Sequence, residues 1–167
     1  MGMGDKELAK ALFAAGCFWG VQYYFDQVPG VVRTTVGYTG GHTADPTYEQ
    51  VCSHRTGHAE AVLIEFDPKA VSYEALCRHF FRMHDPTQLN RQGWDIGDNY
   101  RSAIFYFDDE QLQIAEQVRH EYEPKLDKPI VTQFAAAGEF YEAETYHQKY
   151  AERTGHGMCH IPYEPIK

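Results

Sequence analysis

An apolar run, Leu12-Phe13-Ala14-Ala15, stops at Gly16, and aromatic residues at helical spacing follow from Phe18 to Phe25. A buried strand that turns at once into a helix constrains the fold strongly, because one glycine must carry the change of direction. The residue at that junction is Cys17. A side chain there lies at a helix N-terminus, where unpaired backbone N–H groups and the positive end of the dipole stabilise an anion. A free thiol titrates near about 8.5, so the position is expected to favour the reactive thiolate. The competing reading is a small buried hydrophobe, the usual fate of a free cysteine. Two glycines, Gly16 and Gly20, and two adjacent aromatics, Phe18 and Trp19, argue instead for a pocket built beside the sulfur.

Length and composition set the frame. A chain of 167 residues with 43% hydrophobic content suffices for one domain with a proper core, and the whole of 1–167 is expected to form it. Residues 1–8 are expected to be a flexible leader and 151–167 a mobile tail. No apolar stretch is long enough to span a bilayer, and the start does not resemble a secretory signal, so a cytoplasmic protein with no membrane partner is expected. The net charge of -9 argues against nucleic acid, whose phosphates need a concentrated basic surface. Cys17, Cys52, Cys77 and Cys159 are scattered without a C-x-x-C pair, which speaks against a zinc site or a thioredoxin-type motif and for reduced thiols.

The elements alternate irregularly. After the first strand and helix, residues 31–38 are β-branched enough for a strand, and Pro29-Gly30 supplies the turn before it. A polar loop from 39 to 57 leads to residues 59–66, whose partial alternation suits a strand with one covered face. Ser72 caps a helix to about residue 84 and places Cys77 among apolar neighbours, a structural position. A loop from 85 to 100 precedes a central strand over 102–107, a helix over 109–126, a short strand over 130–134 and a helix around 141–150. The order βαββαβ predicts an α+β fold with a ferredoxin-like core, a mixed sheet, helices packed on it and an irregular C-terminal tail.

The second chemical cluster is Thr56-Gly57-His58-Ala59-Glu60 at the start of a strand. A buried Glu60 would hold its proton near neutral pH and serve as a general acid; an outward Glu60 would be one more surface carboxylate. His58-Ala59-Glu60 matches half of a zinc-deaminase signature whose second half is missing, and the histidines form no H-x-x-x-H pair. No metal and no organic cofactor is expected. An acyl-transferring Cys/His enzyme would need His58 or His147 beside Cys17, and a thiol redox sensor would need only Cys17 and a partner.

Five segments in order, Gly16-Cys17-Phe18-Trp19, residues 37–41, Pro46-Thr47-Tyr48, Thr56 to Glu60 and Tyr100-Arg101-Ser102-Ala103-Ile104, closely resemble the A-type peptide methionine sulfoxide reductases. The resemblance covers nearly the whole chain from Lys10. It implies reduction of methionine S-sulfoxide, free or in oxidised proteins, with Cys17 as nucleophile and Phe18 and Trp19 forming the pocket for the S-methyl group. It implies Glu60 as the acid, Tyr48 and Tyr100 as donors to the sulfoxide oxygen, and Asp95 in the same pocket. His147, Gln148 and Tyr150 match a further family segment, and Cys159, twelve residues beyond His147, falls where a resolving cysteine is expected. Thioredoxin or another dithiol would then reduce a Cys17–Cys159 disulfide, and a monomer is expected. This chain departs from the pattern at Gln22, where many relatives carry glutamate, at Asp98-Asn99, and in a tail without a second C-terminal cysteine.

Overall fold

The computed structural model describes residues 7–156 and 163–165. In chain order its elements are β1 (Ala9–Ala15), α1 (Phe18–Phe25), β2 (Val31–Thr39), α2 (Tyr48–Cys52), β3 (Ala59–Phe66), α3 (Tyr73–Arg82), β4 (Arg91–Gln92), β5 (Asp95–Ile96), β6 (Ser102–Tyr106), α4 (Asp109–Tyr122), β7 (Gln133–Ala136), β8 (Phe140–Glu142) and α5 (Tyr150–Thr154). Six strands make one sheet in the order β7-β6-β1-β3-β2-β8, and β4 and β5 form a separate hairpin. The inner four, β6-β1-β3-β2, pair antiparallel throughout and are joined through α1 and α3, which is the ferredoxin-like βαββαβ unit. The sheet is mixed because β7 lies parallel to β6, while β8 runs antiparallel to β2 at the opposite edge.

The core follows the two-residue period of the strands. On β1, Ala11, Phe13 and Ala15 join the large core with Val21 and Phe25 of α1 and Leu76 and Phe80 of α3. Leu12 and Ala14 face the other way, into a smaller cluster with Ala59, Ala61, Ala103 and Phe105. β3 repeats this division: Val62, Ile64 and Phe66 enter the large core, while Ala59 and Ala61 enter the small one. Both faces of the central strands are therefore covered, whereas the alternation of β3 had suggested one. Glu60 is in phase with Val62, so the same register that buries the valine puts the carboxyl on the helix-covered face.

Caps mark the helices as their sequences imply. Ser72 accepts from the Ala75 N–H at the start of α3, and Asp108 accepts from the Gln111 N–H at the start of α4. The loop of residues 39–57 contains α2, entered through a capping box in which Thr47 and Gln50 satisfy each other's backbone N–H groups. α4 stops at Tyr122 and a 3₁₀ turn, Glu123–Lys125, with Pro124 in its first turn, takes over. The helix expected around residues 141–150 is absent. Phe140–Glu142 is an edge strand on β2, Thr145–His147 a 3₁₀ turn, and α5 starts only at Tyr150. The aromatic spacing there serves strand pairing and ring packing on α1, which periodicity alone does not separate from a helical stripe. Cys159 lies outside the described residues.

Phe13 is fully buried, with ring centroids 5.0 Å from Phe80 and 5.6 Å from Phe25. Phe13→Ala is expected to lower the free energy of unfolding by about 3–5 kcal/mol in urea denaturation, because the two helices above it cannot collapse into the void. Val32→Ala, at a residue 58% exposed, should change it by less than about 0.5 kcal/mol.

Candidate active site

Gly16 makes the turn from β1 into α1 with φ +100°, and a Cβ at this position would stand 2.8 Å from Gln92 Cγ. Both the backbone conformation and the close approach of the β4–β5 hairpin require glycine. Cys17 follows as the N-cap of α1, half-buried, with no side-chain capping hydrogen bond. The thiol is nevertheless pushed well above its ordinary range. Burial is the larger cause and the negative charge of Glu60 the second; the N–H groups of Trp19 and Gly20 act in the opposite direction and are outweighed. The expectation that the helix terminus leaves a resting thiolate is thereby corrected, because desolvation costs more than two N–H dipoles return.

Glu60 is 1% exposed. Its Oε1 accepts from the Phe18 N–H at 3.2 Å and its Oε2 from the Asn99 side-chain amide at 3.4 Å. Burial raises the carboxyl to about 8, against the lowering effect of both hydrogen bonds, with the nearby charge of Asp95 adding to the rise. Burial therefore favours the protonated form of Glu60 at neutral pH. This is the buried alternative of the two readings of Glu60, and the Phe18 N–H ties the acid to the residue next to Cys17.

Two tyrosines share this environment. Burial and the charge of Glu60 raise Tyr100; burial and a hydrogen bond with the Cys52 thiol raise Tyr48. Both phenols stay protonated and able to donate. Tyr48 is placed by Glu144, which accepts from the Tyr48 N–H at 2.9 Å and from the Tyr38 hydroxyl at 2.8 Å. Cys52 thus stands inside this group of residues, whereas Cys77 is buried in α3 beside Tyr73, as its sequence context implies. Asp95 occupies β5 of the hairpin and is exposed, at the rim, yet its charge acts on both Cys17 and Glu60.

The aromatic wall is equally ordered. Trp19 donates its indole N–H to His147 Nδ1 at 2.9 Å and stacks on Tyr150 with centroids 3.9 Å apart. Phe18 is 1% exposed, with its ring against Tyr38 and His147. Neither histidine of the acyl-transfer reading is arranged as a base for Cys17. His58 Nδ1 accepts from the Gly41 N–H and its Nε2 meets the Thr43 carbonyl, while His147 Nδ1 is taken by Trp19. Gln22 is explained by its partners: its amide donates to the Thr34 carbonyl and hydroxyl and accepts from the Lys149 N–H, a pairing that an ionised glutamate lacks the donor to make. Among the described residues no group of three or more His, Cys, Asp or Glu is arranged to hold a metal ion, and no helix is long and apolar enough to cross a membrane.

Sequence reasoning overlooked Asn99 and Glu144 as parts of the site. Asn99 sits in a 3₁₀ turn, Asp98–Tyr100, that reads as loop, and Glu144 is one of many acids; only the fold brings them to Glu60 and Tyr48. A thiol, a neutral carboxyl group and two phenols beside an indole define a site for thiol-based redox chemistry at a polar, protonatable oxygen. Comparison with known proteins supplies the particular family. The family model described as peptide methionine sulfoxide reductase matches residues 9–167. Curated relatives named peptide methionine sulfoxide reductase MsrA are 47% identical in Clostridium acetobutylicum, covering 96% of this chain and 99% of the relative, and 55% identical in Methanosarcina acetivorans, covering 89% and 80%. The solved methionine sulfoxide reductase A of Corynebacterium diphtheriae superposes with a TM-score of 0.87 at 36% identity, covering 98% of this chain and 83% of its own. The chain belongs to the A-type peptide methionine sulfoxide reductases, and it is an oxidoreductase that reduces methionine sulfoxide.

Asn99→Ala is expected to move the titration of Glu60 above about 8, since the amide hydrogen bond holds that value down. Infrared titration of the protonated carboxyl band in a Cys17→Ser background measures the shift, and an unmoved or lower midpoint contradicts the assigned cause.

Proposed function

We propose that Cys17 is the nucleophile and Glu60 the acid of a two-stage reduction of methionine S-sulfoxide. The observation that carries this reading is the buried, largely protonated Glu60 hydrogen-bonded to the Phe18 N–H, one residue from the thiol. A sulfoxide sulfur accepts a nucleophile only as its oxygen is relieved of negative charge, so the barrier falls when a proton and hydrogen-bond donors meet that oxygen. Glu60 delivers the proton, and Tyr48 and Tyr100 donate hydrogen bonds. The Cys17 sulfur bonds to the sulfoxide sulfur, and the thiol proton passes to the carboxylate that Glu60 has become. Resolution of the adduct releases methionine and leaves the oxygen on Cys17 as a sulfenic acid: the cysteine sulfur is oxidised by two electrons and the methionine sulfur reduced by two.

Trp19, held by His147 and Tyr150, forms the wall for the S-methyl group, with Phe18 packed behind it and Asp95 at the rim. Burying one methyl is worth roughly 1 kcal/mol, so epimer choice rests on the fixed direction of the oxygen toward its donors. The Cys159 thiol then condenses with the sulfenic acid, forming a disulfide and releasing water. A dithiol restores both thiols by exchange, with thioredoxin as the expected one. A complex of the yeast relative Mxr1 with Trx2 supports that choice, and the reduced form of Mxr1 superposes on this chain with a TM-score of 0.87 at 32% identity. No step calls for a metal or an organic cofactor, and a cytoplasmic, dithiol-rich setting suits the cycle.

Release of methionine from methionine S-sulfoxide with dithiothreitol tests the reading. Cys17→Ser should release none, since a hydroxyl is a poor nucleophile at neutral pH. Because the active form of Glu60 is its protonated one, the single-turnover rate should be level below about pH 8 and fall as pH rises through that value. Glu60→Gln should be slower by about 10²–10⁴-fold and lose that limb. An unchanged rate in Glu60→Gln removes the carboxyl from the mechanism. Cys159→Ser should still release about one equivalent of methionine per chain but fail to turn over with thioredoxin. Normal recycling of that variant would assign resolution elsewhere.

A further inference from the structure

Trp94 is 92% exposed at the tip of the β4–β5 hairpin, and Ile96 and Leu89 in the same segment are 64% and 68% exposed. Arg91 pairs with Ile96 and Gln92 with Asp95, leaving Gly93 and Trp94 as the two-residue turn. Gly93 has φ +60° and Trp94 does not have a positive φ, the glycine-first arrangement of a type II′ turn. That turn asks for glycine at its first position and makes no demand for an aromatic at its second.

The tip is also firmly held. Gly93 N–H donates to Gln88 Oε1 at 2.7 Å, the Gln92 side chain bonds both the N–H and the carbonyl of Asp85, and the Gly97 N–H donates to the Asn90 carbonyl. Gln92 packs against Gly16, the residue before Cys17. The exposed apolar residues therefore stand on a rigid lip continuous with the nucleophile's pocket, and Trp94 is two residues from the hairpin position in contact with that pocket.

We propose that Trp94, with Ile96 and Leu89, is a docking surface for the polypeptide around an oxidised methionine, receiving an apolar side chain close in sequence to the sulfoxide. This deepens the reductase reading and rests on it. Two residues of extended chain span about 7 Å, the same step in chain that separates Trp94 from Gln92 beside Gly16, so a peptide around the sulfoxide has the length to meet the hairpin tip and a free amino acid does not. Methionines sit mostly in apolar surroundings, and oxidation disrupts the cores they belong to, so the residues exposed with the sulfoxide are themselves apolar. An indole with almost all of its surface in water gains by covering such a side chain.

The test compares three substrates of S configuration, with dithiothreitol as reductant: free methionine sulfoxide, a capped Leu-Met(O)-Leu tripeptide and a capped Ser-Met(O)-Ser tripeptide. The wild type should prefer the leucine peptide, mainly through KM. Trp94→Ser should lower the ratio of kcat/KM on the leucine peptide to that on free methionine sulfoxide by about tenfold, the value of one covered aromatic contact. Val32→Ser, at an exposed apolar site at the start of β2, away from the hairpin, should keep that ratio. A binding readout free of turnover uses Cys17→Ser, in which the leucine peptide should shift the emission to the blue through Trp94, beyond any change that free methionine sulfoxide gives through Trp19. That shift should disappear when Trp94 is replaced. No preference in the wild type, an equal loss in Val32→Ser, or an unshifted emission overturns the docking surface. So does an effect of Trp94→Ser confined to the KM for thioredoxin, which would make the lip a reductant contact. A wild type inactive on all three substrates refutes the reductase reading instead, and the emission shift then decides the surface separately.

Discussion

The hydrogen bond from the Phe18 N–H to Glu60 Oε1 joins the two parts on which everything else at the site depends. It spends a donor at the N-terminus of α1 on a carboxyl group from β3, which fixes the helix over the sheet at the point where Cys17 enters it. The donor would otherwise be one of the orphan N–H groups of the helix, and the buried carboxyl would be left with the Asn99 amide and an unsatisfied Oε1. Each satisfies the other, and the contact survives only if β3 keeps its register with β2 and β1. A slip of one residue sends Glu60 to the face lined by Ala59 and Ala61 and leaves the N–H bare.

The same burial sets the protonation of both Glu60 and Cys17, and in opposite senses for the roles proposed for them. Desolvation turns Glu60 into an acid that keeps its proton at neutral pH, the state the proposed role requires. It also holds the Cys17 thiol protonated, against the pull of the Trp19 and Gly20 N–H groups. The two costs are coupled through charge, since an ionised Glu60 penalises the thiolate and a protonated one does not. A neutral acid and a neutral thiol are the cheapest pair to bury together.

Around this pair the supporting contacts come from distant segments. Glu144, after β8, positions Tyr48 and Tyr38; His147 and Tyr150 fix the Trp19 indole; Asn99 steadies Glu60. The edge strand β8 does more than extend the sheet, because its pairing with β2 delivers the residues 144–150 to the aromatic wall. Rigid elements therefore hold the reacting side chains, and the exposed hairpin of residues 91–96 forms the lip where solvent meets them.

Much of this was legible in the chain. The apolar run ending at Gly16, the alternation of residues 59–66 and the cap at Ser72 are local patterns, and they determine the βαββαβ core and place Cys17 at a strand-to-helix turn. The span 141–150, expected as a helix, is decided by pairing with β2 and by packing on α1, contacts with segments about a hundred residues away that a local pattern does not carry. Whether Glu60 faced water or core was undecidable locally, as an alternating strand does not say which of its faces a helix will cover. The charge states belong wholly to the tertiary structure: the N-terminus of α1 by itself favours a thiolate, and burial together with Glu60 of β3 and Asp95 of the hairpin reverses that. Local sequence specifies backbone periods and turns, whereas a titration depends on the solvent excluded and the partners supplied by segments tens of residues away.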